Sequence, residues 1–569
     1  MNRQILICLL SLSSIVTKSL SQEPPRYAVI IDEIFADPNP PVSLPSSEFI
    51  EIRNVSQVYW NLENWKITNG TTTAVIHSSY ILNPGAVLIL CSNNARNDYS
   101  VFGAALGVSG FPSLGNDGDS LSLISPTGHI IHSVGYAKSW YHNDVKSEGG
   151  WSLEMIDSRF PCNGYSNWTA STNPSGGSPG QINSVDGENP DMQPPALLRT
   201  YTLNDSTIVC VFDEGLDSSS ASSPENYLVD EWHPLHANAI LPAFNEVELV
   251  LPSPMMKNKV YQVNVKDVTD CAGNSIGMMH AASAGIPLPP DSVIINEILF
   301  NPAPNGYDYV ELYNKGEGPV DLSQLLIASR DAAGSLQDIN PVTRITYLLF
   351  PGEFMALTEN ADWVSTHYVV KNPSALMQIS NMPSLPDDMG TFVITKRNGE
   401  IVDQLAYNHI WQFPLIDNES GVSLERISYS ATTQNPMNWT SAASTAGYGT
   451  PGYQNSESSL VNPGNITWSI QPKTFSPDQD GYEDYCFLKY SVPEPGWVAN
   501  ISLFDANGHS VRFLAVNATL GTSGFFRWDG LNDLGKPLPM GNYIVVAELF
   551  NLQGKKNNYK QVVNLVRKW

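Results

Sequence analysis

Apolar and polar residues alternate along this chain in short runs, each broken by Gly, Pro, Asn or Asp. The first run, VIIDEIF at 29–35, passes through a Pro/Asn-rich turn into FIEIRN at 49–54. There Ile50 and Ile52 alternate with Phe49, Glu51 and Arg53. Period-two alternation of this kind predicts strands with one buried face. The same grammar returns at 293–314 as VIINEIL, a turn, and then Val310 and Leu312 alternating with Tyr309, Glu311 and Tyr313. Each copy carries an acidic step, Asp32-Glu33 in one and Asn296-Glu297 in the other.

The self-similarity runs further, and a repeat must be settled before any fold is assigned. Leu62, Trp65 and Ile67 align with Leu322, Leu325 and Ile327, and Pro84-Gly85 before AVLIL aligns with Pro351-Gly352 before FMALT. Ser113-Leu114 and LSLIS match Ser384-Leu385 and TFVIT. Ser152-Leu153-Glu154 matches Ser423-Leu424-Glu425, Asn167-Trp168-Thr169 matches Asn438-Trp439-Thr440, and Ser178-Pro179-Gly180 matches Thr450-Pro451-Gly452. So many landmarks in one order mean one domain used twice. The motifs VIINEI, EFIEIRN with a following Trp, NPG before a strand, SLE, NW and a terminal PG resemble the lamin tail domain. The resemblance covers 22–185 and 290–456. It implies an immunoglobulin-like β-sandwich of the kind found on secreted, multidomain surface proteins of Bacteroidetes type; nothing of lamin rods or the nucleus comes with it.

Two further units complete the chain. After a polar, Pro/Gly-containing stretch at 183–195 that reads as a linker, residues 190–288 carry strands with FDEGLD, NYLV and DCAGN. That order resembles the small Ig-like modules of bacterial surface proteins. Residues 460–569 contain FSPDQDGYED, WDG and PMGNY, with a hairpin turn at Asn507-Gly508. They resemble the C-terminal Ig-like sandwich of hook-capping type. Such end modules often serve as sorting signals for type nine secretion, although this copy departs from that signal's usual spacing. The fold class is therefore all-β: tandem immunoglobulin-like β-sandwiches, two of them lamin-tail-like.

Composition narrows the class of function. The chain has 569 residues, enough for about four domains of ~150 each. Only 15% of residues are charged, against roughly 25% in ordinary soluble domains. The net charge of −26 argues against a nucleic-acid partner, which needs a Lys/Arg footprint, and against docking on anionic lipid. Residues 1–21 read as a secretory signal peptide: a basic Asn2-Arg3-Gln4 start, an apolar 5–16 core and Ser19-Leu20-Ser21 before the cut. The apolar run is too short to span a bilayer, and no later stretch competes.

Past residue 21 the chain has Cys91, Cys162, Cys210, Cys271 and Cys486, an odd number that leaves at least one thiol unpaired within the chain. The tidy pairings are Cys91 with Cys162 and Cys210 with Cys271. Thr358 stands where the second copy would have Cys91, and no cysteine lies near the equivalent of Cys162, which favours a bridge in the first copy. No spacing is of the CxxC type that zinc would need.

Candidate chemistry is sparse. Asp478, Asp480 and Asp484 fall in DxDGxxD, where carboxylates two apart around Gly481 suit a hard cation such as calcium. An acidic turn held by Asx hydrogen bonds fits the same residues. Asn116-Asp117-Gly118-Asp119 and Asp387-Asp388 read as turn formers. There is no Walker A loop, HExxH, GxSxG or dinucleotide fingerprint. His129 and His132 lie on one predicted strand at odd separation and face opposite sides. Glu33 with Glu51 and Glu297 with Glu311 recur in both copies; an acid/base pair is conceivable, but recurrence points to structural use. Trp65, Trp151, Trp168, Trp439 and Trp528 are expected in cores. Tyr59, Trp60, Trp140, Tyr141 and His142 are weighed as an exposed aromatic face against core or rim packing.

The expectation is a non-enzymatic exported surface protein presenting β-sandwich domains for adhesion or protein interaction, its partner a protein or glycan at the cell surface. The alternatives are an accessory subunit of an outer-membrane or type nine secretion assembly and a cryptic hydrolase accessory chain.

Overall fold

The computed structural model describes residues 23–277, 280–458 and 464–567. The signal peptide expected at 1–21 lies outside the described residues. By compactness the chain forms two units. Among the described residues, one takes in 23–199, 209–252 and 263–282, and the other 200–208, 253–262 and 283–567.

The first copy is a sandwich. Its six-stranded sheet runs in the order Trp168–Ala170, Leu153–Met155, Val29–Phe35, Phe49–Asn54, Val87–Ser92, Ala105–Val108. Its four-stranded sheet runs Ile130–Ala137, Gly118–Ile124, Lys66–Thr68, Thr73–Val75. The second copy repeats the order: Trp439–Ser441, Leu424–Arg426, Val293–Leu299, Tyr309–Asn314, Phe354–Thr358, Leu376–Gln378 in the larger sheet. In both copies the edge strand next to Val87–Ser92 or Phe354–Thr358 is parallel to it. Phe49 faces Cys91 in one copy and Tyr309 faces Thr358 in the other, so the alignment of Cys91 with Thr358 holds in three dimensions.

Aromatic packing anchors each core. Trp65, Trp168, Trp439 and Trp528 are buried, while Trp151 is half-buried against the first core. An aromatic side chain that removes 150–250 Å² from water contributes roughly 4–6 kcal/mol of gross hydrophobic stabilisation. Trp60 and Tyr141 are also buried, and Trp140 leans on Trp168 at 6.4 Å, so only Tyr59 and His142 of that aromatic set face water.

One expectation is corrected. The alternation in FIEIRN predicts a single buried face, yet Phe49, Ile50, Glu51 and Ile52 are all buried, and so is every residue of Val29–Phe35. Ile50 and Ile52 face the sandwich core. Phe35, Phe49, Cys91 and Tyr99 make a second, smaller cluster. The 183–195 stretch is likewise no free linker at its start: Asn183 Nδ2 donates to the Asp32 and Met155 carbonyls, and Val185 N–H to Glu154.

Further along the sequence, Leu197–Asn204, Thr207–Phe212, Glu246–Val250 and His236–Ala239 form a four-stranded sheet. Tyr227–Val229, Tyr261–Val265 and His280–Ala284 form a three-stranded one. The last sandwich pairs a three-stranded sheet (Thr467–Gln471, Cys486–Ser491, Ser523–Trp528) with a five-stranded one around Trp497–Phe504 and Gly541–Asn551. No described helix is long and apolar enough to cross a membrane.

The cysteine pairing is also corrected. Cys162 bonds to Cys271, while Cys91, Cys210 and Cys486 are free and buried. Neither Cys91–Cys162 nor Cys210–Cys271 forms, because Cys91 and Cys210 sit inside strands whose side chains point into packed cores. Burial pushes the Cys91 thiol up to about 11 and the Cys210 and Cys486 thiols to about 12, so they are poor nucleophiles. Non-reducing peptide mapping is expected to recover a Cys162–Cys271 pair, with the other three thiols alkylated only after unfolding. Cys162→Ser is expected to cost about 2–5 kcal/mol of stability by denaturant titration, given a closed loop spanning 109 positions. A Cys91–Cys162 peptide would overturn the assignment.

Candidate functional site

On the outer face of each six-stranded sheet, three glutamates stand side by side. In the first copy Glu33 pairs in register with Glu51 on one side and Glu154 on the other. In the second, Glu297 pairs with Glu311 and Glu425. All six are 0% exposed. Strand pairing alone stacks these carboxylates, because each occupies the same register position on adjacent strands.

What covers them is the chain after the last strand of each copy. Ser178 N–H and Ser152 Oγ–H donate to Glu33 Oε1 at 2.9 and 2.6 Å, and Ser178 Oγ–H donates to Glu154 Oε1 at 2.6 Å. Gly180 N–H reaches Glu51 Oε2. In the second copy Thr450 N–H and Tyr309 O–H donate to Glu297 Oε1 at 2.9 and 2.7 Å, and Gly452 N–H reaches Glu311 Oε2. The two terminal PG motifs are thus the lids of the two triads. Gly180 needs its φ of +77°, and a Cβ there would sit 2.7 Å from Gly103 Cα.

Three stacked carboxylates sealed from water do not all ionise. Burial first, and then the adjacent carboxylate, raises Glu33 to about 8 and Glu425 to about 7, and holds Glu51 and Glu311 well above the ordinary range. The hydrogen bonds say the same. Thr450 Oγ1 lies 2.9 Å from Glu297 Oε2 and 2.8 Å from Glu425 Oε1, and one hydroxyl proton serves only one of them. The second contact requires a protonated carboxyl as donor.

Both copies place a β-bulge before the central glutamate, between Ile31 and Glu33 and between Ile295 and Glu297. The bulge leaves a strand N–H for a side chain of the other sheet. Ile31 N–H donates to His132 Nδ1 at 2.8 Å, and Ile295 N–H to Asp403 Oδ2 at 2.9 Å. His132 is buried on the strand Ile130–Ala137, while His129 sits in the turn before it and is mostly exposed, so the two do not share the strand that the sequence predicts. Burial lowers His132 to about 4, leaving it neutral, with Nε2–H donating to the Pro161 carbonyl at an N···O distance of 3.3 Å. The second copy instead buries Arg426, which donates to the Ile295 carbonyl at 2.7 Å and pairs with Asp403 at 3.4 Å.

The bulged residue itself differs. Asn296 Nδ2 donates to Glu311 Oε1 at 2.8 Å and to Asn455 Oδ1 at 2.6 Å. The first copy has Asp32 there, and both its carboxylate oxygens, Glu51 Oε1 and Asn183 Oδ1 are buried without a hydrogen-bond partner. Arg53 Nη1 is 3.7 Å from Asp32 Oδ2. Burial outweighs that cation and raises Asp32 to about 7, so its protonated form supplies a donor where the second copy has an amide.

The remaining predicted residues sit apart from the triads. Asp478, Asp480 and Asp484 do converge, each offering an oxygen within 4.8 Å of the others. Asp484 accepts from Gln479 N–H at 2.6 Å and Gly481 N–H at 2.9 Å, and Asp480 accepts from Tyr482 N–H at 2.9 Å, so the Asx-turn hydrogen bonds are present too. Asp119 and Asp388 each cap the next backbone N–H, as turn formers do. Beside the Asp478 loop, on the outer face of the three-stranded sheet, Tyr485, Phe487 and Phe525 form a row with centroids 6.4 and 5.3 Å apart. The Arg527 guanidinium lies 4.4 Å over Tyr485. Phe525 is 55% exposed. Sequence reasoning did not single out this row, although Phe487 alternates with the buried Cys486 and Leu488 of its strand and Phe525 with the half-buried Gly524 and Phe526 of its own.

Fold and site together define an all-β chain of tandem immunoglobulin-like sandwiches. Residues 22–138 and 288–409 match the Lamin Tail Domain family model, and the chain carries two lamin tail domains. Both matched segments stop short of Glu154, Glu425 and the closing loops. No curated protein matches the chain closely enough to count as a relative. Among solved structures, the N-terminal part of the bacterial S-layer protein SbsC is 12% identical with a TM-score of 0.16, covering 38% of this chain and 44% of that one. A DUF4876 family protein from Bacteroides thetaiotaomicron is 12% identical with a TM-score of 0.17, covering 35% of this chain and 81% of that one. PorZ, a surface component of the type-IX secretion system of Porphyromonas gingivalis, is 9% identical with a TM-score of 0.16, covering 92% and 74%. Scores this low carry no functional argument.

The folded state binds the protons of Asp32, Glu33 and Glu425 more tightly than the unfolded chain does. Their contribution is therefore complete below about pH 4 and lost as pH rises through about 7–8. Asp32→Asn is expected to raise stability by about 1–3 kcal/mol at pH 8 and to do little at pH 4, because the amide donates at every pH. Denaturant titrations at the two pH values check this; an equal effect at both would disprove the shared-proton account.

Proposed function

We propose that this chain is an exported protein working at or beyond the cell surface, where its sandwiches present faces for adhesion to protein or glycan and break no bonds. The observation that carries this reading is the Tyr485–Phe487–Phe525 row with Arg527 above it, an aromatic and cationic face on a rigid sheet and open to water. Such rows stack against sugar rings or partner side chains at low entropic cost. The carboxylates that recur in both lamin tail domains are spent on holding closing loops and have no open approach for a substrate. The Cys162–Cys271 bridge suits an oxidising compartment.

The Asp478–Asp480–Asp484 loop is proposed to take calcium beside this face. Its all-oxygen donors suit a hard cation, and Asp478 Oδ1 is buried with no hydrogen-bond partner.

Phe487→Ser with Phe525→Ser is expected to lower binding of the full chain to whole cells or a glycan array at least tenfold, with the circular dichroism spectrum unchanged. Undiminished binding would remove this face from the reading, and turnover of model phosphoester, peptide or glycan substrates would overturn the non-enzymatic role. Calcium is expected to raise the melting temperature of a 460–569 fragment, and Asp484→Asn to abolish that rise; a chelator-insensitive transition would empty the loop.

A further inference from the structure

A second acidic cluster lies in the first unit, away from the glutamate triads. Asp191 comes from the stretch after Asn183, Glu214 from the turn after Thr207–Phe212, and Asp270 from the DCAGN turn. Each offers an oxygen within 4.8 Å of the other two. Unlike the Asp478 loop, this cluster is built from three distant segments and is largely closed to water: Asp191 is 6% exposed and Asp270 1%.

The hydrogen bonds account for some of these oxygens and leave others bare. Asn274 clamps Asp270, its N–H donating to Oδ1 at 2.9 Å and its Nδ2 to Oδ2 at 2.8 Å. The same carboxamide donates to the Asp191 carbonyl at 3.2 Å, and Gln193 N–H donates to Asp191 Oδ1 at 3.1 Å. Asp191 Oδ2 and Glu214 Oε2 are buried and accept from no N–H or hydroxyl donor, while the Asp191 and Asp270 carboxyls lie within hydrogen-bond reach of each other. Among the described residues, every charge acting on Glu214 is another carboxylate: Asp191, Asp270 and Asp213. A cavity of about 400 Å³ opens alongside, lined in part by Asn163, Ser166, Asn189 and Asp213.

Buried carboxylates with bare oxygens are costly unless a proton or a cation sits among them. The donors are all hard oxygens, three acidic side chains supply up to six of them, and the cavity has room for water to complete a shell of six to eight. We propose that Asp191, Glu214 and Asp270 form a calcium site that ties the stretch after Asn183 to the two turns holding Glu214 and Asp270. Cys271 follows Asp270 directly, so the ion and the Cys162–Cys271 bridge secure the same joint, one by charge and one by covalency.

The test is calorimetric titration of CaCl₂ into the chelator-stripped full chain, as wild type, as Asp484→Asn, and as Asp191→Asn with Glu214→Gln. The double variant is expected to lose one calcium equivalent, or at least tenfold in its affinity, while Asp484→Asn retains that equivalent. Unchanged uptake by the double variant overturns the site. So does absence of uptake by Asp484→Asn, which would assign all binding to the loop near the C-terminus. Hydrogen exchange on the wild type provides a readout that needs no variant. Calcium is expected to slow exchange across 187–195 at least tenfold, and unaltered exchange there overturns the proposal. A shared proton in place of the ion would appear as a double variant more thermostable in chelator, with a wild type that takes up no calcium at this site, and that result also refutes it.

Discussion

The two lamin tail domains depend on one arrangement: three carboxyl groups stacked across neighbouring strands and sealed by the chain that follows them. Register puts Glu33 between Glu51 and Glu154, and Glu297 between Glu311 and Glu425. Buried ionised carboxylates would repel one another strongly, so the triad is tenable only with protons retained and with donors supplied by the SPG or TPG loop. The loop in turn has no sheet of its own to join. Its backbone N–H groups find their acceptors on the glutamates, which explains why a strand-poor segment closes the sandwich at all.

The copies solve the same local problems with different chemistry. At the bulge, the free N–H is taken by a neutral histidine in one domain and by an aspartate in the other. The charge introduced by Asp403 is answered by Arg426, where the first domain has the apolar Met155. An amide at Asn296 does by fixed chemistry what Asp32 does only when protonated. A duplicated domain therefore need not titrate identically in its two positions. The first carries more of its polar satisfaction on protons, and the second on amide and guanidinium groups.

Much of the fold was legible along the chain. Period-two alternation, Gly/Pro punctuation and the order of landmarks from VIIDEIF to the terminal PG identified strands, the repeat and the sandwich class, because alternation directly records a pleated strand with a packed face. The triad was half legible: Glu33, Glu51, Glu297 and Glu311 stood out by recurrence, and Glu154 and Glu425 were visible only as letters of SLE. Nothing local announces that Glu154 joins Glu33 or that Glu425 joins Glu297, since those contacts arise from pairing between strands more than a hundred positions apart. The outer-face aromatic row escaped for the opposite reason. Aromatic residues on a strand read as core until the second sheet is in place to show which face is covered.

By itself the sequence determined the strand content, the duplication, the all-β class and the acidic character, each a property of neighbouring residues or of composition. Tertiary structure alone decided which cysteines meet, pairing Cys162 with Cys271 and leaving Cys91 and Cys210 inside packed strands. It alone decided that the polar face of FIEIRN is buried, and that Asp191, Glu214 and Asp270 converge. The physical reason is common to all three: alternation tells which side of a strand a residue occupies, but distance across a sheet, and the identity of whatever lies over it, are set by register and by the path of the chain that returns.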